Sequence, residues 1–152
     1  MNELHFQYCQ KIIVLSKDLT QVLLCKRKGE NDFNGIFSFI GGKMEVTDET
    51  IINGLKREKN EEIGEEFKIK IYPIYSTNLL FRKKDGNTMI LPHYLAIYQS
   101  GEIKLNEEYS EYKWIPISEI DSFEPKIPTI PDILNKILEL EKITKENDFI
   151  II

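Results

Sequence analysis

The chain carries only two cysteines, Cys9 and Cys25. Each lies in a stretch of alternating apolar residues with no second cysteine at metal-ligand spacing, which argues against a disulfide framework or a cysteine-rich zinc site. They read as reduced core thiols, and an intracellular compartment follows as the default. A run of roughly 20 apolar residues, long enough to span a bilayer, is missing. The N-terminus, Met1-Asn2-Glu3-Leu4-His5, has no basic segment leading into an apolar one, so no secretory signal is expected. These absences predict a cytoplasmic protein without membrane contact. Positive charge is also short: 20 Lys and Arg face 25 Asp and Glu. A broad basic surface for duplex nucleic acid is therefore not expected, although a small basic pocket is compatible.

What is present suits one packed core. At 152 residues with 41% hydrophobic composition, residues 1–152 are expected to form a single domain, with no repeat or linker. Phe6 to Leu15 and Val22 to Cys25 read as antiparallel strands joined near Lys17 to Thr20. Ile36 to Ile40 reads as a strand ended by Gly41-Gly42. Further strands are expected over 67–75, 76–82, 89–98 and 112–117, with Asp85-Gly86-Asn87 as a hairpin signal and Pro92 marking an edge or a bulge. A helix should start at a cap on Thr47 or Asp48 and stop at Gly64. A second begins at Ile130, with Pro131 in its first turn and an apolar stripe through Ile133, Leu134, Ile137 and Leu138. Phe123 to Pro131 reads as an extended crossing segment, and the apolar Phe149 to Ile152 as a terminus docked onto the domain.

The chemistry concentrates on the first helix. At about 100° per residue, Glu58, Glu61 and Glu62 leave one face together. Such a cluster repels itself and, taken alone, is most simply a solvated face. Upstream, Gly41-Gly42 lets a backbone carbonyl approach a cation, and Glu49 stands at the expected head of the helix. Hard oxygen ligands from one helix and one loop suit Mg²⁺, or Mn²⁺ in its place.

From Gly42 to Gly64, Gly-Lys-Met-Glu-Val-Thr-Asp-Glu-Thr-Ile-Ile-Asn-Gly-Leu-Lys-Arg-Glu-Lys-Asn-Glu-Glu-Ile-Gly resembles the Nudix box, G-x5-E-x7-R-E-U-x-E-E-x-G-U, where U is a bulky apolar residue. Glu49, Arg57-Glu58, Glu61-Glu62 and Gly64 follow its spacing. Gly42 and Glu49 are separated by six residues rather than five, and the two U positions hold Lys59 and Glu65. Lys59 falls within the apolar arc, so its stem is expected to pack while its amine reaches outward. The resemblance extends to Gly35 through Gly42, with Phe37 in a common tryptophan place, and to Glu108 through Pro116.

The resemblance implies an α+β Nudix fold, an α/β/α sandwich with a central mixed sheet and the box helix packed against it. It also implies a metal set of Glu58, Glu61, Glu62 and the Gly42 carbonyl, with Glu49 behind it and Arg57 positioning the carboxylates. Glu58, Glu62, Glu108 and Arg57 form the expected catalytic group. Glu108 is the first choice for taking the proton of the attacking water, with Glu111 and Glu107 as alternatives. Arg27 and Lys43 are candidates for holding substrate phosphate, and Phe37 and Tyr94 for stacking a base, with core packing as the competing role for both aromatics. His93 reads as structural.

The implied activity is metal-dependent hydrolysis of a nucleoside diphosphate linked to another group. Leu80 to Lys83 has neither the proline nor the tyrosine that ADP-ribose and dinucleoside polyphosphate subfamilies often carry downstream of the box. That favours a MutT-like hydrolase converting a nucleoside triphosphate, oxidised guanine nucleotides included, to the monophosphate and pyrophosphate. An ADP-ribose or dinucleoside polyphosphate hydrolase and a non-catalytic nucleotide-sensing module are the alternatives. A monomer and a homodimer are equally compatible with the sequence.

Overall fold

A computed structural model describes residues 3–152. Met1 and Asn2, part of the N-terminal stretch read above for a targeting signal, lie outside the described residues. Strands β1 (Phe6–Leu15) and β2 (Gln21–Arg27) meet through a turn fixed by Asp18, which accepts hydrogen bonds from Ser16 Oγ, Thr20 N and Thr20 Oγ1. They pair only at Leu15↔Val22 and then diverge. The expected single strand around Ile36 to Ile40 is two short ones, β3 (Phe37–Ser38) on β2 and β4 (Ile40–Lys43) on β1, with Phe39 between them.

Gly41 and Gly42 thus lie inside β4 rather than ending a strand. Gly41, at φ 129°, passes so close to Gln10 and Lys11 that an added Cβ would overlap the β1 backbone, and only glycine tolerates both conditions.

After helix α1 (Ile51–Ile63) come β5 (Lys68–Ile71), β6 (Thr77–Arg82), β7 (Thr88–Ser100), β8 (Tyr109–Pro116), helix α2 (Ile130–Glu141) and β9 (Ile150–Ile151). β7 runs parallel to β1 on one side and antiparallel to β6 and β5 on the other; β8 pairs with β2, and β9 with β5. Pro92 is therefore flanked on both sides rather than at an edge. The β1–β7 ladder breaks there, between Tyr8↔Ile90 and Lys11↔His93, as a residue without an N–H requires. β5 is shorter than the expected strand, and β8 begins three residues earlier than expected, at Tyr109 instead of Tyr112.

Alternation along β1 and β2 builds two cores, one on each face of the mixed sheet. Ile13, Leu15, Val22 and Leu24 pack with Ile133, Leu134 and Ile137 of α2. Ile12, Val14, Leu23 and Cys25 pack with Leu55 and Ile63 of α1. This is the expected α+β sandwich, helix on sheet on helix. Ile152 is buried in the second core, so the apolar terminus docks as its composition predicts. The crossing segment runs beside β3: Phe37 N donates to Pro125 O, and Ile127 N to Phe37 O. Among the described residues no helix is long and apolar enough to cross a membrane.

Two further local expectations fail. The helix cap is Thr50, whose Oγ1 accepts from Asn53 N at 3.1 Å, because Thr47 and Asp48 belong to the preceding turn. Lys59 is fully buried and its amine points inward, donating to Phe67 O at 2.9 Å and Gly64 O at 3.3 Å. Unpaired carbonyls where the helix turns into β5 offer the ammonium more than an outward path would. Burial lowers its pKa to about 8, helped by Lys68 and Lys56.

Candidate active site

Arg57 organises the loop between β4 and α1. Its Nε donates to Asp48 Oδ1 at 2.9 Å and its Nη2 to Asp48 Oδ2 at 2.8 Å, a two-pronged pair of the kind that fixes geometry as well as charge. Nη2 also donates to Lys43 O at 3.0 Å, while Nη1 reaches Glu58 Oε1 at 2.8 Å and Glu61 Oε2 at 3.3 Å. The hydrogen bonds from Arg57 pull the Asp48 carboxyl down to about 2.

Asp48, and not Glu49, is the acid that meets Arg57. Glu49 is exposed and makes no hydrogen bond or ion pair among the described residues. Five residues separate Gly42 from Asp48 and eight separate Asp48 from Arg57. The extra residue of the box therefore falls after the acid, where the chain winds into the Thr50 cap.

Glu58 and Glu62 are buried, and Glu61 is half-exposed. The Glu58 carboxylate lies directly against Gly42, where a Cβ would collide with it. Burial raises its pKa, with Arg57 opposing the shift. Glu62 Oε2 accepts from Gly41 N at 3.0 Å and from Tyr109 OH at 2.8 Å. Its other oxygen, Oε1, is buried without a partner among the described residues. Burial pushes this carboxyl up to about 8, against the pull of nearby Lys11.

A cavity of about 680 Å³ opens beside this platform, lined by Lys11, Arg27, Gly42, Lys43, Glu58 and Glu108 together with an apolar arm. Arg27 is ion-paired to Glu30 at 3.4 Å, and its Nε is buried without a partner among the described residues. Glu108 is exposed just before β8 and adds negative charge to the surroundings of both Glu58 and Glu62. Glu111 instead pairs with Lys26 at 3.6 Å, and neither it nor Glu107 lines the cavity.

Phe37 and Tyr94 are not in the cavity wall. Phe37 is buried in the α2-side core, edge-on to Phe123, and Tyr94 is buried in the α1-side core, its hydroxyl sharing a hydrogen bond with Tyr8. Core packing claims both. The aromatic lining comes from Phe33, Phe39 and Phe81, with Tyr109 and the His93 ring.

Sequence reasoning passed over Asp48, Tyr109 and Lys11. Asp48 was legible from the box's own count of five residues after Gly42. Lys11 had a fainter signal, a lone cation in the apolar run ending at Leu15. Its amine donates to Gly41 O at 3.2 Å, and β-pairing sets Gly41, Lys11 and His93 side by side on three adjacent strands.

The donor set suits a hard divalent cation: two buried carboxylates, one with an oxygen lacking a partner among the described residues, next to a glycine that leaves room. Among the described residues no three acidic, histidine or cysteine side chains converge on one point. Arg57 draws Glu58 and Glu61 to itself, while Gly41 and Tyr109 draw Glu62.

The chain is similar to proteins of known structure and activity. The nucleoside triphosphatase NudI of Escherichia coli O139:H28 is 28% identical over 115 residues, spanning 70% of this chain and 81% of that protein. The MutT protein of Methanosarcina mazei Go1 superposes with a TM-score of 0.73 at 21% identity, over 93% of this chain and 99% of that one. The NUDIX domain of Shewanella oneidensis NrtR, complexed with ADP ribose, gives 0.65 at 17% identity, over 91% and 88%. Residues 10–137 match the NUDIX domain, so the chain belongs to that family and is a Nudix hydrolase.

Proposed function

We propose that this chain hydrolyses a nucleoside triphosphate to the monophosphate and pyrophosphate, dependent on Mg²⁺ with Mn²⁺ able to replace it. The observation that carries the reading is the pair of buried carboxylates, Glu58 and Glu62, beside Gly41-Gly42 at a cavity that also holds Lys11, Arg27 and Lys43. The triphosphatase activity named for the NudI relative supports the substrate class.

Glu58, Glu62 and the Gly42 carbonyl, joined by Glu61, are the groups that would hold the cation. Bound there, a divalent cation would supply charge neutralisation at the phosphates and lower the pKa of water. Glu108 takes the proton of the attacking water, whose oxygen forms a new bond to phosphorus as the anhydride P–O bond breaks and pyrophosphate leaves. Arg27 and Lys43 hold the phosphate oxygens. Arg57 sets the orientation of Glu58 and Glu61, with Asp48 locking the guanidinium from behind.

The test is turnover of a panel of nucleoside triphosphates, oxidised guanine nucleotides, ADP-ribose and dinucleoside polyphosphates with Mg²⁺ or Mn²⁺. Release of pyrophosphate from triphosphates is the expected result. Turnover confined to ADP-ribose or dinucleoside polyphosphates overturns the substrate class. Nucleotide binding with no turnover on either metal overturns hydrolysis and leaves a sensing module.

A further inference from the structure

The proposed phosphate chemistry leaves one arm of the cavity unused. Its lining is apolar: Phe33 and Phe81, with ring centroids 5.6 Å apart, then Phe39, Leu79, Met89 and Leu91. Polar side chains share the cavity, among them Asp32, Lys83 and Thr129 and, more deeply buried, His93 and Ser38. His93 is 5% exposed and stands edge-on to Phe39, with centroids 5.9 Å apart; Ser38 is 1% exposed. Both line the cavity.

The tautomer of His93 follows from its neighbours. Nδ1 lies 2.8 Å from Leu91 O and 3.3 Å from Thr77 O. Carbonyl oxygens only accept, so Nδ1 carries the proton and Nε2 keeps its lone pair. Nε2 has no hydrogen-bond partner among the described residues. The Ser38 hydroxyl, buried, has none either. A histidine serving only to fill the core would be expected to spend both nitrogens or to bury its free one against protein. Here the uncommitted acceptor belongs to a ring that lines an aromatic-walled space and is open to it, so a group entering that space can supply the donor. Burial, with the Lys11 charge on the adjoining strand, lowers the imidazole pKa to about 4, so the acceptor persists at neutral pH.

We propose that this arm reads the substrate's base, with His93 Nε2 accepting a hydrogen bond from an exocyclic amino group of a purine whose ring lies among Phe33, Phe39 and Phe81. The proposal rests on the nucleotide-hydrolase reading above and narrows its substrate to aminopurine nucleotides, because a flat heterocycle offers both an apolar face and an N–H edge.

Nucleoside monophosphates test it, since they have no anhydride to cleave. Calorimetry with the full chain compares AMP with purine riboside monophosphate and GMP with IMP, each pair differing by one amino group. In at least one pair the amino form should bind about tenfold tighter. His93→Phe should erase that preference while leaving affinity for the amino-free partner nearly unchanged, and His93→Gln, which restores an acceptor, should recover part of it. Equal binding within both wild-type pairs overturns the proposal without any variant having to fold. A preference that survives in a folded His93→Phe protein overturns it too. Triphosphate turnover with no amino preference sinks base reading alone, and an amino preference without turnover of any triphosphate sinks hydrolysis alone.

Discussion

Asp48 and Arg57 meet through two near-parallel hydrogen bonds, 2.9 and 2.8 Å long, and through them the loop after Gly42 is tied to the carboxylate face of α1. A guanidinium so held cannot turn away from Glu58. Asp48→Ala should therefore lower kcat by about 10- to 100-fold, whereas Glu49→Ala, at an exposed site, should stay within about twofold of wild type. Steady-state kinetics on both variants decides between the two acids. Equal losses, or a larger loss at Glu49, would return the role to Glu49.

Glu58→Gln and Glu62→Gln remove charge while keeping shape. Each should cost at least about a hundredfold in kcat, with far-ultraviolet circular dichroism unchanged. Glu62→Gln should in addition weaken Mn²⁺ binding, followed by electron paramagnetic resonance of free Mn²⁺, because the oxygen without a partner belongs to Glu62. Full metal affinity in both variants would count against the proposed ligand set.

Lys11 places an ammonium against the Gly41 carbonyl and near Glu62. Lys11→Met should reduce kcat/KM about tenfold or more, since charge at a site of this kind contributes strongly to phosphate binding. Lys11→Arg should restore much of it. Kinetics of Lys11→Met indistinguishable from wild type would make the residue a bystander.

His93 sets a pH dependence of stability. Its folded pKa, about 4, lies below the ordinary imidazole value of about 6.5 because the ring is buried among apolar side chains and beside the Lys11 charge. The unfolded chain therefore binds the extra proton first. The stabilisation is complete above about pH 6.5 and drains away as pH falls toward 4, by up to about 1.4 kcal/mol per pH unit. Urea unfolding between pH 7 and 4.5 measures the slope, and His93→Phe should make it shallower. An unchanged slope would mean that other groups carry the acid sensitivity.

The layers of the fold were legible because alternation in β1 and β2 and the stripe in α2 are set by what each face buries. So were the box helix, its stop at Gly64 and the docked terminus. Strand partners were less legible. Nothing local to Ile36–Ile40 announces that the chain changes neighbours at Phe39, and that change keeps Phe37 in the core while Phe39 lines the cavity. The same holds for Lys59, whose inward amine answers carbonyls presented by the helix end and by Phe67. Tyr109 and Lys11 owe their places to strand pairing across long sequence separations, which a reading of periodicity along the chain does not contain.

Gly41, Lys11 and His93 stand abreast on β4, β1 and β7. Adjacent strands are about 4.8 Å apart, so roughly 10 Å of hydrogen-bonded sheet separates the backbone of the first from that of the last. The charged and apolar halves of the cavity are thereby mounted on a common rigid gauge. Loops on either side can change what each half grips, but the span between the two grips is set by the sheet, and altering it would require re-pairing the strands.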